Sequence, residues 1–83
     1  MNTALASYRY EAELEIFEDD TYVRIYMEDQ GNMKMIYEEI REAGVLSIDL
    51  NLESEVPGYK DIIVYFNETE YSRETVYFAE EGQ

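Results

Sequence analysis

From Tyr8 to Ile16 the chain alternates without a break: Tyr8, Tyr10, Ala12, Leu14 and Ile16 occupy even positions, and Arg9, Glu11, Glu13 and Glu15 the odd ones. Side chains on a β-strand point to opposite faces in turn, so this segment can bury one face only if it is extended. A helix would scatter the same residues around its circumference. The segment therefore demands a sheet with one dry side and one side lined with carboxylates.

The same alternation recurs. Val23, Ile25 and Met27 share the inner face of a second predicted strand, Tyr22 to Glu28, which leaves Tyr22, Tyr26 and Glu28 outside. Leu46, Ile48, Leu50 and Leu52 share that of a third, Val45 to Glu53, with Ser47, Asp49, Asn51 and Glu53 outside. A fourth strand, Asp61 to Asn67, is apolar on both faces, which places it centrally in a sheet or against a partner. A fifth covers Thr75 to Glu80, after an acidic connection "ETEYSRE", and "ESEVPGYK" reads as a loop around Pro57 and Gly58.

Between the second and third strands, Met33, Ile36, Tyr37 and Ile40 recur at helical spacing. Asn32 is placed to cap and Gly44 to terminate, so the pattern predicts a helix over Met33 to Ala43. The resulting expectation is a single α+β domain, ordered ββαβββ, with a four- or five-stranded antiparallel sheet, the helix on one face and the other face open. The ends, residues 1–5 and 81–83, are expected to fray. With "EDDT" as the turn, the first two strands form a hairpin in which Phe17 meets Tyr22, Glu15 meets Arg24, Glu13 meets Tyr26 and Glu11 meets Glu28.

Composition removes most chemistry. The 83 residues include no Cys and no His, which excludes disulfides, thiolate nucleophiles, Cys-based zinc sites and the commonest general base. Paired carboxylates could act as acid and base, but only where one is desolvated in a cleft. The acidic stretches "EDD" and "DLNLE" lack the loop pattern that wraps a calcium ion, and alternate strand residues do not converge on one. No apolar run of membrane-spanning length occurs, and the first residues lack the pattern of a secretion signal. The expectation is a non-enzymatic, cofactor-free and metal-free cytoplasmic protein, monomeric or homodimeric.

Charge is the positive signal. Twenty acidic residues against six basic give a net −14, which disfavours nucleic acid and anionic membranes and favours a cationic partner. On a compact body about 30 Å across, that is roughly one charge per 2 Å, against about one per 1.7 Å for duplex DNA. Carboxylates about 6.8 Å apart along a strand and about 4.8 Å across strands present a lattice that Lys and Arg can grip much as they grip phosphates. The partner-binding set is accordingly Glu11, Glu13, Glu15, Glu18, Asp19, Asp20, Tyr22, Tyr26, Glu28, Asp49 and Glu53, with Glu38, Glu39 and Glu42 as a second patch. The ordinary alternative is that the carboxylates only solvate the outer faces.

In size, charge and its acidic stretches "EAELEIFEDD", "EEIREAG" and "ETEYSRE", the chain resembles the small nucleic-acid-mimicking inhibitors of phages and mobile elements, the anti-CRISPR and anti-restriction proteins. The resemblance is one of character and not of motif. It implies stoichiometric inhibition, by occupying the DNA-binding groove of a host CRISPR–Cas effector complex or of a restriction or repair enzyme. An acidic antitoxin or immunity-type protein that neutralises a basic protein is the alternative.

Overall fold

The computed structural model describes residues 6–54 and 56–79. They form six strands: β1 (Ala6–Ile16), β2 (Thr21–Asp29), β3 (Asn32–Arg41), β4 (Gly44–Ser54), β5 (Gly58–Phe66) and β6 (Thr69–Phe78). All ladders are antiparallel. β1 and β4 pair as a two-stranded ribbon, and β3-β2-β5-β6 form a four-stranded sheet. The ends expected to fray lie outside the described residues.

The expected α+β class is overturned, because the described residues contain no helix. The segment predicted helical is β3. Its entry, Asp29-Gln30-Gly31-Asn32, is a two-residue hairpin turn in which Gln30 (φ 51°) and Gly31 (φ 85°) both take positive φ. That pair of angles matches the right-handed twist of the flanking strands and makes the hairpin tight. A bulge supplies the false helical spacing. Ile25 faces Tyr37 but Tyr26 faces Met35, so Ile36 is an extra residue that shifts the parity of β3 midway.

The expected β1–β2 hairpin is also absent. β1 runs instead along β4, with Glu11 opposite Asp49, Glu13 opposite Ser47 and Leu14 opposite Leu46. Residues 17–20 carry the chain from one sheet to the other. β6 begins at Thr69 and absorbs most of the predicted acidic connection, while β5 begins at Gly58 and absorbs the end of the predicted loop. β5 is an interior strand of its sheet, as an apolar pattern on both faces requires.

The two sheets bury their apolar faces against each other. Tyr10, Leu14, Ile16, Leu46, Ile48 and Leu52 from the ribbon meet Val23, Ile25, Met27, Ile62, Val64, Val76 and Phe78 from the larger sheet. The ribbon thus takes the place expected of the helix. It covers the inner faces of β2 and β5 and the end of β6, and leaves β3 without a buried residue. At one end the inward-facing Lys60 is buried and pairs with Asp29 at 2.9 Å.

Candidate functional site

A two-layer sandwich has two outer faces that point away from each other, and this divides the predicted partner-binding set. Glu11, Glu13, Glu15, Asp49 and Glu53 stay together on the exposed outer face of the ribbon. Tyr22, Tyr26 and Glu28 lie on the outer face of the four-stranded sheet, across the molecule from them. The mixed patch of carboxylates and tyrosines expected from the hairpin register therefore does not exist.

The two faces differ in how their charges are used. On the four-stranded sheet many of the charged groups have protein partners. The Arg24 guanidinium lies 5.2 Å from the Tyr22 ring centroid, 5.8 Å from that of Tyr26 and 5.2 Å from that of Tyr65, and it donates to the Asn67 carbonyl at 2.7 Å. Tyr22 donates to Glu38, which pushes the phenol pKa up. Arg73 gathers Asp61 at 2.9 Å, Glu70 at 3.3 Å and Glu28 at 3.4 Å. Glu39 accepts from Arg41 at 2.8 Å and from Tyr37 at 3.0 Å, and both bonds hold its carboxyl below the usual range. Of the predicted second patch, Glu38 and Glu39 are therefore engaged within the fold.

On the ribbon only one end is neutralised. Arg9 forms a two-pronged bond to Asp49, with Nε at 2.7 Å, and lies 3.8 Å from Glu11. Its guanidinium holds the Asp49 carboxyl below the ordinary range. Toward the other end, Glu13 and Glu15 have no ion-pair partner among the described residues, and the row continues into the turn acids Glu18, Asp19 and Asp20.

That end is where separate segments converge. The β1–β2 connection is held by the Thr21 hydroxyl donating to the Glu18 carbonyl at 2.6 Å, and by Asp20 in the left-handed region (φ 59°). It touches the β3–β4 connection through the Ala43 N–H, which donates to the Asp19 carboxylate at 3.0 Å. Glu42 is thereby brought against Asp19 and Asp20. Its carboxyl pKa is pushed up, first by sharing a hydrogen bond with Asp19 and then by the charges of Asp19 and Asp20. Like charges are crowded here, and no described Lys or Arg relieves Asp19, Asp20 or Glu42.

Three exposed apolar side chains that sequence reasoning left out of the site frame this acidic end: Phe17 (72% exposed), Val45 (68%) and Ile40 (64%). Val45 faces Glu15 across the ribbon, and Phe17 is the next outward position after Glu15. Ile40 and Val45 line a shallow concavity of about 320 Å³ together with Glu42. The parity of the first and third predicted strands already marks Phe17 and Val45 as outward. Ile40 was hidden by its assignment to a buried helical stripe.

Among the described residues no group of three or more Asp or Glu is arranged to hold a metal ion, and no helix is long and apolar enough to cross a membrane. The molecule is also longer than a compact body of its size. Its 49 Å long axis carries the net charge of −14 at about one per 3.5 Å, half the density of duplex DNA. Any likeness to nucleic acid therefore rests on the acidic end and not on mean charge. No protein-family model, curated protein or solved structure matches the chain.

Proposed function

We propose that the protein is a stoichiometric inhibitor that presents Glu13, Glu15, Glu18, Asp19, Asp20 and Glu42 to the basic, DNA-binding groove of another protein and keeps nucleic acid out of it. The observation that carries this reading is the crowding of Glu42 against Asp19 and Asp20 with no ion pair to any of them among the described residues, the neighbouring Arg41 being engaged by Glu39. A fold gains nothing from such repulsion, whereas a Lys- and Arg-lined partner would convert it into attraction. Carboxylates that served only for solubility would be spread out or paired, as they are on the opposite face.

The leading candidate partner is a CRISPR–Cas effector complex in the host cytoplasm, with restriction and repair enzymes behind it. Phe17, Ile40 and Val45 favour a protein partner of some kind, because exposed apolar groups beside charged ones supply the desolvated contacts that hold protein interfaces together. The same trio would serve an antitoxin or immunity-type protein that binds a basic toxin. Competition separates the two readings, since only the inhibitor of a nucleic-acid-binding protein is displaced by DNA.

The test is a titration of effector-bound labelled DNA with this protein, read by anisotropy and cleavage. Displacement should saturate at one copy per site and weaken steeply between about 50 and 200 mM salt. Joint replacement of Glu13, Glu15 and Glu42 by Gln should abolish it, and Glu28→Gln should leave it unchanged. If the triple variant displaces DNA as well as the parent does, the acidic end is not the binding surface.

A further inference from the structure

The sandwich is closed along one side and open along the other. On the closed side β1 and β6 approach within 8 Å between Cα atoms, and the Tyr8 and Phe78 rings meet at 5.8 Å. On the open side β3 and β4 do not pair, and a groove of about 330 Å³ runs between them over Met27, Met35, Ile36, Leu50 and Leu52, with Lys34, Asn51 and Glu53 at its rim. Leu50 is only half-buried there, the exception among the apolar inward residues of β4.

The free edges are not equally protected against further pairing. β1 carries Arg9, Glu11, Glu13 and Glu15 and is approached by β6. β3 is broken by the bulge at Ile36 and carries Lys34, Glu38, Glu39 and Arg41. β6 has its own bulge at Tyr71, beside Glu70 and Arg73. β4 runs for 11 residues in unbroken register, with no bulge, proline, Lys or Arg. Charge, bulges and proline are the usual means by which an edge is kept from pairing, and of these β4 has only the charges of Asp49 and Glu53, the first already bound by Arg9. The ribbon it bounds is only two strands wide, below the width at which a sheet is stable on its own.

We infer that β4 pairs antiparallel with β4 of a second copy across a two-fold axis at Leu50, joining the two ribbons into one four-stranded sheet. This inference is independent of the proposed inhibitory function, whose surface lies on the ribbon's far end and outer face. The second copy is the occupant because β4 is complementary to itself in this register. With Leu50 facing Leu50, Ile48 faces Leu52 on the inner side. On the outer side Asp49 faces Asn51, and Ser47 faces Glu53, so no two acids stand directly opposite each other. The pairing also lays each copy's Leu50 and groove against the other's, which removes from water the apolar strip that the monomer leaves open.

The test is sedimentation velocity of the full chain over a concentration series, with single substitutions on β4. The parent should dimerise, and more tightly as salt rises, because two bodies of net −14 repel. That salt dependence is opposite in sign to the one expected for the basic partner, so either reading can fail without the other. Asn51→Glu sets two like-charge pairs against Asp49 of the facing copy and should raise the dimer dissociation constant roughly two- to thirty-fold. Asn51→Lys should lower it. Position 51 is exposed, so neither change threatens the fold. The chain has no cysteine, so Leu50→Cys should cross-link to itself under an added oxidant, since facing Cα atoms lie about 4.5–5.5 Å apart. Ser47→Cys, displaced by about 20 Å from its copy in this register, should not. A parent that stays monomeric throughout, or a dimer indifferent to the charge at position 51, overturns the inference.

Discussion

Asp29→Asn should be the most damaging near-isosteric substitution at the sandwich end, because of what it leaves behind. The Lys60 side chain is 1% exposed and its Nζ lies 2.9 Å from Asp29 Oδ1, while Asp29 Oδ2 accepts from the Ser54 hydroxyl at 3.1 Å. Removing one partner of a buried pair strands the other charge, a loss of about 3–5 kcal/mol when both are fully buried. The Asp29 side chain is 26% exposed, so the effect here should be smaller, about 2–4 kcal/mol. A chain of 83 residues is stable by only about 4–12 kcal/mol. At about 4–8 °C per kcal/mol, the melting temperature should fall by roughly 10–30 °C.

Lys60→Met removes the charge that is hardest to bury and leaves Asp29 its Ser54 bond and its access to water. It should shift stability by about 1 kcal/mol or less in either direction, and should rescue much of the Asp29→Asn loss when combined with it. Hydrogen bonds from Lys60 and then Ser54 hold the Asp29 carboxyl below its ordinary value. Its contribution is therefore complete above the unfolded carboxylate pKa of about 3.9 and is lost as pH falls through the folded value. The gap between parent and Asp29→Asn should narrow below about pH 4. Urea unfolding followed by circular dichroism across pH reads each quantity. Equal losses from Asp29→Asn and Lys60→Met, or a gap unchanged at low pH, would refute the account.

Other expectations follow from the same geometry. Glu42→Gln should raise the melting temperature at pH 7 while weakening binding to the basic partner. Because the raised Glu42 pKa makes its charge unfavourable in the fold, that gain should vanish as pH falls and the parent's own carboxyl protonates. Ile40→Ser should change stability by no more than about 0.5 kcal/mol, since Ile40 is an exposed edge residue, whereas Ile25→Ala at a fully buried position should lose about 2–5 kcal/mol. Similar losses at the two positions would restore the helical stripe. Gly44→Ala should lose about 1–3 kcal/mol through backbone strain alone, because φ is +132° there and nothing lies within 4 Å of the added Cβ. A chemical-denaturation midpoint unchanged from the parent would contradict it.

The acidic face was legible because parity is a local property. Once Leu14 is inside, Glu13 and Glu15 are outside whatever the partner strand is, and they are exposed in the structure. The helix was misread because the Ile36 bulge turned a period of two into spacings of three and four, and because Asn32, placed to cap a helix, instead follows the Gln30-Gly31 hairpin turn as the first residue of β3. The site was misassembled for a different reason. Tyr22, Tyr26 and Glu28 were joined to Glu11, Glu13 and Glu15 by assuming that adjacent strands pair, yet the chain changes sheet between them.

By itself, then, the sequence determined which side chains face water on each alternating strand, the excess of carboxylates, and the absence of thiol and imidazole chemistry. All of these follow from residue identity and the two-residue period of an extended backbone. Only the tertiary structure decided that Arg9 neutralises one end of the row while Glu42 is pressed onto Asp19 at the other, and that the tyrosines face the opposite way. Those relations depend on which strands pair and where the chain crosses between sheets. The whole core selects that pairing, burying Leu14 and Leu46 in one cluster with Ile25 and Val64, and no short stretch of residues encodes it.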